Sequence, residues 1–275
     1  MRAVSCFVAS ALLCADALTA PPSARAQPAA AACRLDDIGS GSVRRVTDGR
    51  TFTLDDGREV RLAAIEVPSP GADGLPQRSP AARAKEALEG LISGKTVTLR
   101  RLGSQAADRY GRLLAHVFLS TEGLERSVQR DMLALGLARV AAHVGDRVCA
   151  AELLAREREA RDAGRGLWAD PDQAMRHAEN PASILGDRGR FALVEGNVLS
   201  VRESGGTIYM NFGRRWSEDF TVTIAKRNER MFSAAGVELK KLERARVRVR
   251  GFIEERGGPW IEASRPEQIE ILGRE

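Results

Sequence analysis

Apolar and polar residues alternate along the early part of the chain. Ser42 to Val46, Thr51 to Leu54 and Arg58 to Ile65 each read as a short strand, with Asp48-Gly49 and Asp55-Asp56-Gly57 between them. An Asp-Gly pair between alternating runs marks a hairpin, because glycine takes a positive φ at little cost, so these segments predict a meander. Pro68 to Pro80 holds too many prolines and glycines for a regular element and predicts a loop. The period then lengthens to that of a helix. Ser79 stands at an N-cap with Pro80 at the first helical position, and Ala84, Ala87, Leu88 and Leu91 form a stripe that stops at Gly94.

Two further strands are predicted at Thr96 to Leu102 and Leu113 to Leu119, separated by the polar segment Gly103 to Arg112. A helix over Glu125 to Leu135 follows, with Val128, Met132 and Leu135 on one face and Gly136 as its stop. Asp146 caps a third helix running to about Ala163 with Leu153 and Leu154 inward. Its Arg156-Glu157-Arg158-Glu159 run and Arg161-Asp162 read as a solvated face without a function. Residues 171–190 are polar and broken by prolines and a glycine, as a linker is. Strands then dominate: Phe191 to Val201, Thr207 to Phe212, Phe220 to Ala225, Arg246 to Ile253, Trp260 to Ala263 and Gln268 to Leu272, with a short helical stretch around Lys226 to Ala235. That order predicts a small OB-like β-barrel over 191–272, in which Val247-Arg248-Val249-Arg250 reads as a strand with one wet face.

The first 26 residues read differently. Arg2, the apolar run Ala3 to Ala15 and the small-residue site Ala24-Arg25-Ala26 have the layout of a signal peptide cleaved after Ala26, followed by a leader over 27–41. The run is shorter than the roughly 20 apolar residues of a membrane span. An exported protein, periplasmic or secreted, is therefore expected, and neither Cys14 nor Cys33 fits a lipid-attachment site well. Cleavage leaves Cys33 and Cys149. Two thiols in an oxidising compartment point to one disulfide, with two separate buried cysteines as the alternative. With only His116, His143 and His177 besides, no spacing resembles a zinc site. The formal charge of +5, from 42 Lys and Arg against 37 Asp and Glu, permits a polyanion partner without requiring one.

Within Val43 to Trp168 the chain resembles the staphylococcal nuclease family. The matching motifs are Val46-Thr47-Asp48-Gly49-Arg50-Thr51, Val60-Arg61-Leu62-Ala63-Ala64-Ile65-Glu66-Val67-Pro68, Asp108-Arg109-Tyr110-Gly111-Arg112 and Gly166-Leu167-Trp168. Each is weak alone, and their order and spacing make the set specific. The resemblance implies an α+β, mainly β fold over 42–170: a five-stranded OB-type barrel carrying three helices, followed here by the second barrel. It also implies Ca²⁺-dependent phosphodiester hydrolysis, in which carboxylates hold the ion, two arginines contact the phosphate and a glutamate activates water.

Carried over by position, Arg61 and Arg112 match the phosphate-contacting arginines, Glu66 matches one metal carboxylate and Asp48 an acidic residue near the metal. The departures lie elsewhere. Arg50 occupies the place of the other metal-binding aspartate, Val67 that of a threonine and Ser69 that of the general-base glutamate. At an effective dielectric of about 20, a like charge some 4 Å from a divalent ion costs on the order of 8 kcal/mol, so no cofactor is expected unless Asp55, Asp56 or Asp73 rebuilds a site.

Arg50, Arg61 and Arg112 together suit a phosphodiester. Alternatively Arg50 pairs with Glu66 and closes the barrel's mouth. Tyr110 stacks on a base or covers core. In the second unit Tyr209, Phe212, Arg214, Arg215 and Trp216 mix aromatic and positive side chains as strand-binding surfaces do, although core packing fits most of the aromatics. Three functions follow: an exported binder of nucleic acid or oligonucleotide with little or no hydrolysis, an active Ca²⁺-dependent phosphodiesterase, or a non-enzymatic interaction protein of the envelope.

Overall fold

Alternation in the first segments does become a ring of strands. The computed structural model describes residues 33–69, 79–103, 107–169, 175–215 and 217–274. The expected signal peptide, Asp73 and Trp216 lie outside them. The described residues belong to one compact unit that contains two main hydrophobic cores.

The first core is enclosed by β1 (Asp36–Asp48), β2 (Thr51–Leu54), β3 (Glu59–Leu62), β5 (Thr96–Arg101) and β6 (Leu113–Thr121), while β4 (Ile65–Glu66) pairs separately with β8 (Arg139–Val140). The pairings run β3-β2-β1-β5-β6, and β6 returns to β3 through the parallel register Val60–Leu113, Arg61–Leu114 and Leu62–Ala115. Strand β1 starts inside the expected leader, because its first half pairs with β5 and its second half with β2. Val43, Val46, Phe52, Leu54, Val60 and Leu62 point inward, each at most 4 % exposed. Burial of side chains of this size stabilises the fold by about 1.5–3 kcal/mol apiece.

Gly57 has the anticipated positive φ of 87°. Gly49 does not: it is glycine because a Cβ there would come within 2.7 Å of the Ala84 Cβ on α1 (Pro80–Ile92). That helix begins as predicted, with the Ser79 hydroxyl accepting from the Ala82 N–H at 3.1 Å. The second helix is shorter than expected. Leu124–Ser127 forms strand β7 against β6, so α2 occupies Val128–Ala134. From α2, the buried Gln129 side chain accepts from Val117 N–H at 3.0 Å and donates to the Ala115 carbonyl at 2.9 Å, satisfying backbone groups of β6. Asp146 caps α3 (Arg147–Asp162) by accepting from the N–H groups of Val148 and Cys149. Cys149, in the first turn of α3, is bonded to Cys33, closing a separation of 116 residues. A covalent loop of that length contributes roughly 4–5 kcal/mol on the chain-entropy account.

The expected linker is partly structured. β9 (Arg176–His177) pairs in parallel with β10 (Phe191–Asn197), and a short helix, Pro181–Leu185, places Ile184 in the second core. Pro181, read as a breaker, is this helix's first residue, and Asn180 is its N-cap. The remaining strands are β11 (Ser200–Ser204), β12 (Thr207–Asn211), β13 (Thr221–Ala225), β14 (Ala245–Phe252), β15 (Glu254–Arg256), β16 (Gly258–Glu262) and β17 (Ile269–Arg274). They form two sheets, β17-β14-β10-β9 and β11-β12-β13-β16-β15, around one core that includes Met210, Phe220, Val222, Phe232, Val247 and Val249.

Among the described residues no ladder joins the two sheets, so the expected barrel is two sheets around a shared core. The apolar run Phe191 to Val201 is split accordingly. Val198 N–H donates to the Ala245 carbonyl and Leu199 N–H to the Asn211 carbonyl, so the chain changes sheet between these residues.

Neither of the faces read as wet is so throughout. Arg250 is fully buried and donates to both Glu157 carboxylate oxygens, at 2.8 and 3.0 Å, and to Glu270. Glu157 also accepts from the Val140 N–H at 2.6 Å and pairs with Arg161 at 3.2 Å. An alternating charge pattern on a helix predicts solvation only when no other part of the chain covers it. Here β14 and β17 do.

Candidate functional site

The ladder between β2 and β3 sets Arg61 opposite Thr51, and the Leu62 N–H donates to the Arg50 carbonyl at 2.8 Å. Arg50 and Arg61 therefore leave neighbouring backbone positions. The tight turn before Arg50 is held by the Asp48 carboxylate, which accepts from the Arg50 N–H at 2.8 Å. After β3 the chain turns at Ala64, whose φ of 64° is rare for a residue with a Cβ. The turn directs Ile65–Glu66 out of the ring and into register with Arg139–Val140.

The Glu66 carboxylate receives two guanidinium groups. One oxygen is paired with Arg50 Nη1, and the other lies 4.0 Å from Arg61 Nη2. Burial, followed by repulsion from Arg50, holds the Arg61 pKa below its ordinary value, and Glu66 offsets part of this. Of the two sequence readings for Arg50, the pair with Glu66 is the observed contact. Val67 packs partly against the first core, and Ser69 is exposed.

The turn that carries Tyr110 is built on Asp108. Its carboxylate accepts from the N–H groups of Tyr110 and Arg112 at 2.9 and 3.1 Å and from Arg112 Nε at 2.8 Å, and Gly111 supplies a positive φ of 78°. Burial alone would raise the Asp108 pKa, yet the hydrogen bonds from Arg112 and the two backbone amides outweigh it and keep the carboxyl below its usual range. Arg112 is correspondingly raised, chiefly by its hydrogen bond to Asp108. Tyr110 is 66 % exposed, so it does not cover core. The guanidinium groups of Arg109 and Arg112 lie 4.8 and 5.1 Å from its ring centre.

Arg61, Glu66, Tyr110 and Arg112 line one open cleft of about 560 Å³. Arg50, Glu66 and Ser69 line an adjoining cleft of about 280 Å³. Asp48 lines neither of the two. Asp55 and Asp56 are also elsewhere: Asp56 is paired with Arg58, and both line neither cleft. Among the described residues no three His, Cys, Asp or Glu side chains gather in a way that could hold one cation.

Several site residues were given no role from the sequence. Asp108 had a local signal, since an acid four positions before an arginine, with a glycine between, suits a side-chain-stapled turn. Arg190, just before β10, and Phe252, at the end of β14, also line these clefts and had none. The aromatics expected to pack in that core divide. Phe212 packs against it at 4.9 Å from Phe220, whereas Tyr209 meets Trp260 edge-on at 6.1 Å with both rings half-buried.

Comparison with other proteins agrees with this geometry. Residues 59–170 match the family described as staphylococcal nuclease homologue. Arg61, Glu66, Ser69, Tyr110 and Arg112 fall inside that stretch, and Asp48 and Arg50 precede it. A protein of Escherichia coli named ParB is 32 % identical over 147 residues, which is 51 % of this chain and 76 % of that protein. A protein of Escherichia coli O157:H7 named as an uncharacterized endonuclease is 32 % identical over 135 residues, covering 48 % of this chain and 78 % of its own length. With the ring of strands, the Asp108-to-Arg112 turn and these matches in agreement, the chain belongs to the staphylococcal nuclease homologue family.

Proposed function

We propose that this chain binds nucleic acid or an oligonucleotide through its phosphodiesters at the mouth of the first ring of strands, with little or no hydrolysis. The observation that carries the reading is the Arg50–Glu66 pair. The family's Ca²⁺ needs converging oxygen donors, and the residues here do not fit it. Glu66 is engaged by a guanidinium, Asp48 serves its own turn, and Asp108 is spent on Arg112. A hard divalent ion placed at Glu66 would face the fixed positive charge of Arg50 at a cost of several kcal/mol. Ser69 brings no carboxylate to take a proton from water near neutral pH.

The same guanidinium groups suit phosphate. Arg112 is oriented by Asp108, Arg61 lies 4.0 Å from Glu66, both line the cleft, and planar forks recognise phosphate oxygens in pairs. Export to the periplasm or beyond belongs to the same proposal. The Cys33–Cys149 bond suits an oxidising compartment, and no described helix is long and apolar enough to cross a membrane.

An active Ca²⁺-dependent phosphodiesterase is the second reading, favoured by the endonuclease name of similar proteins. Cleavage of labelled DNA and RNA with Ca²⁺ and with chelator separates the two. The proposal expects no metal-stimulated products, together with oligonucleotide binding in chelator that weakens steeply with salt. Metal-stimulated cleavage that disappears in Arg61→Ala would establish the second reading instead.

A further inference from the structure

We infer that Phe252, the last residue of β14 and outside the stretch matched to the family, is a base-stacking residue of the phosphodiester cleft. The inference rests on the proposed binding function and adds to it a residue that would contact the base. Phe252 is the last residue of β14. Its strand neighbours Val247 and Val249 are fully buried, whereas Phe252 is 49 % exposed.

The ring is anchored yet half exposed. It meets Phe191 edge-on at 5.5 Å, and the Phe191 carbonyl accepts from Arg139 Nη1 at 3.2 Å. Arg139 stands in register with Glu66 on the β4–β8 pair. Phe252 is therefore fixed to the strand pair that carries the site's central carboxylate, although 186 positions separate it from Glu66. Both residues line both clefts. In the larger cleft Phe252 shares the wall with the exposed Tyr110 and with Arg61 and Arg112. In the smaller one it accompanies Arg50 and Arg190.

An exposed aromatic ring with guanidinium groups on the same walls is matched to a nucleotide, which brings a flat base next to an anionic phosphate. Bases stacked within a duplex keep their faces covered, whereas those of a single strand are free to stack on protein rings. The chemistry is common to DNA and RNA, so both are tested.

Fluorescence anisotropy of the full chain in chelator, with a mixed-sequence single-stranded DNA, the corresponding RNA and the DNA duplex, tests the inference. Phe252→Ala is expected to weaken single-strand binding by about tenfold and to leave duplex binding unchanged. Phe252→Leu should behave as Phe252→Ala does, because it keeps apolar volume but has no aromatic face, and Phe252→Trp should retain affinity. Unchanged melting temperatures show that each variant is folded.

Wild-type affinity in Phe252→Ala or Phe252→Leu, or equal losses on single strands and duplex, overturns the inference while leaving the proposed function in place. If wild type binds no oligonucleotide at low salt, the proposed function fails and takes the inference with it.

Discussion

Arg250 and Glu157, 93 positions apart, face each other in a two-pronged ion pair at 2.8 and 3.0 Å, with both side chains withdrawn from solvent. The pair joins β14 of the second core to α3 of the first. Glu270 and Arg161 complete its surroundings. Burial would lower the Arg250 pKa, but Glu157 and Glu270 outweigh it and raise it, so the guanidinium stays charged.

Breaking the pair from one side should be costly, because it strands a buried charge. Glu157→Gln and Arg250→Met are each expected to lower stability by about 3–5 kcal/mol in urea denaturation. Replacing both partners together with apolar residues should recover much of that loss. Single variants within 1 kcal/mol of wild type would show that the seam is hydrated and contributes little.

The pair also marks where the sequence was readable. The separate strands of the first ring and the Ser79 and Asp146 caps followed from local pattern, because each depends on neighbours within a few residues, whereas the closing of the ring and the candidate roles of Arg50, Arg61, Glu66 and Arg112 were implied by the family resemblance. Glu157 and Arg250 were misread as solvated, and Phe252 was not singled out. Their environments are made by segments far apart in the chain, and the alternation of β14 or the charge pattern of α3 carries no trace of what covers it. Gly49 was assigned to a turn for the wrong reason. Contact with Ala84, not a positive φ, demands its missing side chain.

Burial pushes the pKa of His116 down from 6.5 to about 4. The folded state thus holds a neutral imidazole through a range in which the unfolded chain takes up a proton. Unfolding is linked to proton uptake there, so His116 favours the folded state fully above pH 6.5, and this contribution falls as pH drops towards 4, by about 3 kcal/mol over the window. Urea midpoints measured from pH 7 to 4 should decline more steeply for wild type than for His116→Gln. Parallel profiles would mean that His116 is protonated in the folded protein.

Arg50→Asp with Ser69→Glu supplies a second carboxylate beside Glu66 and an acid where a proton acceptor is required. The double variant is expected to gain Ca²⁺-stimulated cleavage of single-stranded DNA, where wild type has little or none. Added Arg61→Ala should remove the gain by at least about tenfold, since a phosphate contact would be lost. A double variant as inert as wild type would place the obstacle outside these two positions.

Calorimetric titration of the full chain with Ca²⁺ examines the Arg50–Glu66 pair most directly. Wild type should give no saturable heat, with a binding isotherm emerging once Arg50→Asp frees the carboxylate. A saturable wild-type isotherm that vanishes in Glu66→Gln would mean that the ion displaces the guanidinium, and would contradict the account at its centre.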